Sequence, residues 1–130
     1  MIVSGIALAG GGARMPSGSC GAYAAGLMAL SAALCPKADR LSASEIETLK
    51  KVRPKFYKFR DWFTGEFGGV SCASVLLQLF GWTYHRNDDQ EREELRKLQK
   101  KLGFNCEVVT GKTAVALAKK LPESKRKKRS

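Results

Sequence analysis

Three cysteines follow residues that often cap helices, in the pairs Ser19-Cys20, Ser71-Cys72 and Asn105-Cys106. That pattern places each thiol in a first helical turn, where unpaired amides and the helix dipole favour negative charge. A depressed thiol pKa is expected there, and thiolate is the form that attacks disulfides and binds iron or zinc. Three such placements in one chain point to helix starts converging on a shared thiol site, with Cys20 the foremost candidate. Cys35 stands at a helix end before Pro36 and lacks that activation. No CxxC pair occurs, which excludes zinc-ribbon and thioredoxin motifs. The N-terminus has no basic segment ahead of a long apolar run, so a secretory signal is not expected and the thiols are read as reduced and cytoplasmic. The competing reading makes all four cysteines small buried apolar residues.

Charge offers a second kind of chemistry. The net charge is +11, and Lys125, Arg126, Lys127, Lys128 and Arg129, less Glu123, account for four of those charges. Such an excess suits nucleic acid, an acidic protein or an anionic surface. The stretch KKVRPKFYKFRDWF interleaves cations with aromatics. Lys50, Lys51, Arg53, Lys55, Lys58 and Arg60 could hold phosphates of an RNA, or they are the wet side of an amphipathic helix. The tail is either a binding tail or a solubilising one.

Two other motifs lead nowhere. GIALAGGGAR resembles the glycine-rich oxyanion loop of patatin-like lipases, but Ser19 lies in SGSCG, which lacks the first glycine of GxSxG. As a phosphate cradle the loop lacks a following GK[ST]. A flexible lead-in to the first helix is the simpler reading.

The elements that must position the thiols are helical. Small residues Ala22, Gly26, Ala29 and Ala33 line one face of a helix over Cys20 to Leu34, with Leu27, Leu30 and Leu34 beside them. Pro36 ends it. Ser42 and Glu45 form a capping box for a helix from Ala43, which Pro54 should kink or restart. Phe56, Phe59, Phe63 and Phe67 then make an aromatic stripe, stopped by Gly68-Gly69. Ser71 caps a short apolar helix, Cys72 to Phe80. Asn87 starts a charged helix with Leu95, Leu98 and Leu102 inward and a Glu93–Lys97 pair outward. Asn105 starts the last, with Val108, Val109, Val115, Leu117 and Leu121 inward. The expected architecture is all-α: a small bundle of about five helices with a glycine-rich N-terminal loop. One domain covers 1–121 and a basic tail 122–130. No segment is apolar for long enough to span a bilayer.

Three blocks carry a family resemblance. SGSCGAYAAGLMAL is similar to the CGAxxG region of the C_GCAxxG_C_C family, FRDWFTGEFGGVSCASVLLQLFG to its second block, and FNCEVVTGKTAVALAKKL to its terminal cysteine and helix. The resemblance implies a small helical, redox-active protein in which Cys20, Cys72 and Cys106 match the family's last three cysteines. It also implies an iron–sulfur cluster for electron transfer, by way of a related region in split-Soret cytochromes. The family's first cysteine precedes the glycine loop, whereas residues 1–19 hold none. The last glycine of CGAxxG falls on Ala25, with Gly26 one residue later. Cys35, His85 or a partner chain would have to supply a fourth ligand. The alternative function is a non-catalytic basic subunit of a larger assembly, binding RNA or an acidic protein.

Overall fold

The computed structural model describes residues 10–37 and 42–120, with the side chain of Lys120 left aside. Five helices follow one another: α1 (Gly21–Leu34), α2 (Ala43–Phe67), α3 (Cys72–Phe80), α4 (Asp89–Leu102) and α5 (Glu107–Lys120). Among the described residues there is no strand, only an isolated antiparallel bridge between Ser19 and Ser71. The all-α bundle expected from the sequence is the one observed. The basic tail and Leu121 lie outside the described residues.

Local chemistry sets most helix ends. The Ser42 hydroxyl accepts from the Glu45 amide, and the Glu45 carboxylate accepts from the Ser42 amide at 2.6 Å, which completes the capping box. Gly68, Gly81 and Gly103 close α2, α3 and α4 in the left-handed region, at φ of 79°, 76° and 77°. Of the kink or restart expected at Pro54, the restart does not occur: α2 runs on through it. Proline removes one backbone bond on an exposed face, while Val52, Phe59, Phe63 and Phe67 bury the opposite side along the helix.

The core divides into two clusters. The first gathers Leu30, Phe59, Phe63, Phe67, Val75 and Val109, with Tyr23, Trp62 and Leu117 packed around them. Its rings touch in several geometries, from stacked Tyr23–Phe59 (5.7 Å) to edge-on Trp62–Phe67 (5.9 Å). α1 reaches this cluster through Gly26: a Cβ added there would lie 2.5 Å from Cζ of Phe59. Gly26 is therefore the small residue that permits close approach, while Ala29 faces solvent. The second cluster gathers Cys72, Leu76, Phe80 and Leu95, with Phe104 stacked on Phe80 at 5.5 Å.

Several sequence expectations need correction. The inner face of α5 is Val109, Thr113 and Leu117, whereas Val108 and Val115 are exposed. Apolar residues occur all round α5, so tertiary packing against α1 chose the face. Leu102 is exposed, since it lies in the last turn of α4 beyond the Leu95–Leu98 contact. Asp88, not Asn87, caps α4, with its carboxylate accepting from the Glu91 amide at 2.9 Å. Glu93 pairs with Arg96 at 3.6 Å instead of with Lys97; both groups are exposed and the pair contributes little.

Candidate functional site: a thiol cavity with a buried guanidinium

Backbone pairing brings the first two thiols together. The Cys20 amide donates to the Val70 carbonyl (2.7 Å), and the Cys72 amide donates to the Gly18 carbonyl (2.9 Å). These bonds flank the Ser19–Ser71 bridge and tie the loop before α1 to the turn before α3. The pairing sets Cys20 and Cys72 one residue beyond each serine of the bridge. The glycine-rich segment completes the arrangement. Residues Gly10 to Arg14 all have positive φ, including Ala13 (47°) and Arg14 (60°). Gly11 lies so close that a Cβ there would be 3.1 Å from Cβ of Cys72 and 2.1 Å from the Met15 carbonyl. The glycines thus fold the loop onto Cys72.

Cys106 joins from the start of α5. Asn105 accepts from the Glu107 amide at 2.7 Å, and the Cys106 carbonyl accepts from the Val109 amide at 3.0 Å. Cys106 therefore occupies the capping position itself, one residue before the helix. Cys20 stands in the same relation to α1, and its side chain makes no capping bond. Only Cys72 lies inside a first turn, behind the Ser71 cap.

The three thiols line one cavity of about 340 Å³, together with Arg86 and the apolar side chains of Val75 and Val109. Cys72 is buried, and Cys20 and Cys106 are half-buried. Arg86, from the loop between α3 and α4, donates from Nη2 to Sγ of Cys106 at 3.2 Å. Its Nε is buried and has no hydrogen-bond partner.

The electrostatics reverse the expected depression of the thiol pKa values at Cys72 and Cys106. Burial pushes the Cys72 thiol up; Arg86 opposes this, while Cys106 and, less so, Cys20 add to it. Burial likewise pushes Cys106 up against the charge and hydrogen bond of Arg86. The helix-start argument fails at Cys72 because the first amides of α3 are already taken. Cys72 and Ala73 donate to Gly18 and Pro16, Ser74 to the Ser71 hydroxyl, and Val75 to the Ser71 carbonyl. No free N–H remains there to attract a thiolate.

The other candidate residues fall elsewhere. Cys35 caps the far end of α1, roughly 20 Å along the helix from Cys20. His85 is exposed, and its amide donates to Glu91 at 2.6 Å. Lys50, Lys51, Arg53, Lys55, Lys58 and Arg60 are all exposed on α2, with Lys50 paired to Glu47 and Arg60 to Asp61. Arg86 is the site residue that sequence reasoning missed. It lies in a loop without periodicity or motif, beside the His85 that drew attention instead.

The donor set was tested against a resident iron–sulfur cluster. Among the described residues, no group of three or more His, Cys, Asp or Glu side chains is placed to hold a metal ion. A cluster is normally held by four thiolates, whereas three thiols line this cavity and Arg86 already hydrogen-bonds to the sulfur of Cys106. In this arrangement the residues do not fit such a cluster. Among the described residues, no helix is long and apolar enough to cross a membrane.

No curated protein and no solved structure matches this chain. A family model does, over residues 2–120, under the description "Putative redox-active protein (C_GCAxxG_C_C)". That span takes in the glycine loop, all three cavity thiols and all five helices. The chain therefore belongs to the C_GCAxxG_C_C family.

Proposed function

We propose that the protein is a thiol redox carrier whose electrons come from Cys106 and Cys72, with Cys20 as the third thiol of the same cavity. The observation that carries this reading is the shared cavity, in which Arg86 acts on both Cys106 and Cys72. Cys106 also packs against the cluster that contains Cys72. A guanidinium beside a thiol stabilises the thiolate that must form during exchange, while burial keeps the resting thiol protonated. Oxidation joins two sulfurs and releases two protons and two electrons to an acceptor disulfide. Cys106 packs in the same cluster as Cys72, whereas Cys20 packs against the aromatic cluster, so Cys106 is the natural partner of Cys72.

Titration with an oxidised dithiol, followed by intact mass and peptide mapping, tests this. The expected product is an intramolecular Cys72–Cys106 disulfide with Cys35 free. Oxidation that maps to Cys35, or only to links between molecules, would sink it. Iron and acid-labile sulfide analysis after anaerobic purification addresses the cluster separately; stoichiometric amounts lost in Cys72→Ser would replace the dithiol reading.

The exposed cations of α2 favour a second reading, an attachment to an anionic partner such as RNA or an acidic protein. Among the described residues, Lys51, Arg53, Lys55 and Lys58 form no ion pair. Binding to RNA that weakens steeply with salt, and weakens further when Lys55 and Lys58 are changed to Gln, would support it. Salt-insensitive or absent binding would end it.

A further inference from the structure

A second cavity, of about 360 Å³, adjoins the thiol cavity and shares Gly10, Arg86 and Cys106 with it. Three more guanidinium groups line it, those of Arg14, Arg92 and Arg96. Glu107 is the one carboxylate in the lining. Arg92 is paired with Asp89, and Arg96 with Glu93 at 3.6 Å, both through carboxylates on the outer side of α4. Among the described residues, Arg14 and Arg86 have no carboxylate partner. Arg86 also holds a buried Nε–H with no acceptor. A buried cationic donor without an acceptor is costly and is ordinarily satisfied by an anion. Cys106 is the only thiol that borders both cavities.

From this juxtaposition we infer that the arginine cavity binds the oxyanion end of a small disulfide, whose sulfur end then meets Cys106. This inference rests on the thiol redox reading and names its substrate class: a low-molecular-weight disulfide that carries carboxylate or phosphate groups. Arginine suits either oxyanion, because its planar fork donates two parallel hydrogen bonds. The volume is within the usual range of small-molecule sites.

The reaction balances as thiol–disulfide exchange. Cys106 loses its proton to solvent, and its sulfur attacks the nearer sulfur of the bound disulfide. The S–S bond of the substrate breaks, one thiolate leaves and takes a proton, and a mixed disulfide with Cys106 remains. Cys72 then loses its proton, its sulfur attacks Sγ of Cys106, and the expelled second thiolate takes up a proton. Two electrons pass from the protein to the substrate, giving one protein disulfide and two small thiols.

The test compares three disulfides of opposite charge as oxidants of the full chain: oxidised glutathione (carboxylates), coenzyme A disulfide (phosphates) and cystamine (ammonium groups). Oxidation is followed by intact mass. At least one anionic disulfide is expected to react tenfold or more faster than cystamine, and whichever is faster identifies the oxyanion. An Arg14→Gln/Arg96→Gln variant should lose most of that preference; both side chains are exposed or at the rim, so folding checked by circular dichroism should be unchanged. Cystamine reacting as fast as both anions, or a preference untouched in the variant, would overturn the inference. If none of the three oxidises the cavity thiols, the redox reading itself has failed. Calorimetric titration with S-methylglutathione, which cannot exchange, then decides the anion site alone. Binding weakened about tenfold in the Arg variant supports the site, and equal or absent binding removes it.

Discussion

The two halves of the core bury similar residues to different ends. Around Phe59, Phe63 and Phe67 aromatic and aliphatic side chains pack closely, down to a glycine that admits the edge of Phe59. Around Cys72 and Cys106 the packing leaves open volume, and a guanidinium with an unsatisfied N–H projects into it. The first half holds α1, α2 and α5 together and carries Cys20 at its edge; the second carries Cys72 and Cys106, and the thiol cavity is lined from both. Stability resides in the aromatic half and chemistry in the imperfectly packed one. This division is general: reactive groups need a rigid frame and a locally unsatisfied environment.

The comparison can be broken most forcefully at Phe59. Phe59→Ala should cost about 3–5 kcal/mol of unfolding free energy, read from denaturant midpoints, because a fully buried ring leaves a cavity that α1 cannot close. Gly26→Val attacks the same contact from the other side and should cost about 1–3 kcal/mol by overpacking. Arg86→Met, in the thiol half, should change stability by less than about 1 kcal/mol, since a half-buried guanidinium whose Nε lacks a partner is exchanged for an apolar side chain of similar length. The same variant should slow alkylation of Cys106 at a given pH, because Arg86 is what restrains the rise of its pKa. A large loss of stability in Arg86→Met would erase the distinction between the halves.

The finest distinction is one of protonation. Burial raises Cys72 and Cys106 above the ordinary thiol pKa, so the folded state holds their protons where the unfolded chain has released them. Their contribution to stability is complete below the unfolded thiol pKa and is lost as pH rises through the folded values. Denaturant midpoints should therefore fall less between pH 8 and pH 10 in a Cys72→Ala/Cys106→Ala variant than in the parent. Parallel curves would show that the cavity leaves the thiols unperturbed.

Much of the frame was legible in the sequence because its signals are local. Ser42 and Glu45 announce a helix start, Gly68-Gly69 announces a stop, and the Phe spacing gives the buried face of α2. Cys20, Cys72 and Cys106, which the sequence groups by their capping pairs, line one cavity. The direction of the shift at Cys72 runs against the capping argument, because local capping suggests free amides that the loop carbonyls of Pro16 and Gly18 in fact occupy at α3. Those partners are distant in sequence, and burial is a property of the assembled core. Arg86 was invisible for the same reason: nothing in its neighbours Tyr84 to Asn87 shows that Cys106 will lie against it. The face of α5 was also beyond reach, since Val108, Val109 and Val115 are equally apolar and only contact with α1 selects among them.

The contact between Gly26 and Phe59 has a consequence for inheritance. A side chain cannot be added at position 26 while a phenylalanine ring stands 2.5 Å from where its first carbon would go. A lineage that replaces the ring first with a smaller residue opens a hole, and the opposite order creates a clash. Either single step is harmful, whereas the two together restore the volume. Gly26→Ala combined with Phe59→Leu should therefore be less damaging than the sum of its parts. The order of substitution is constrained, and the pair should change together or stay fixed.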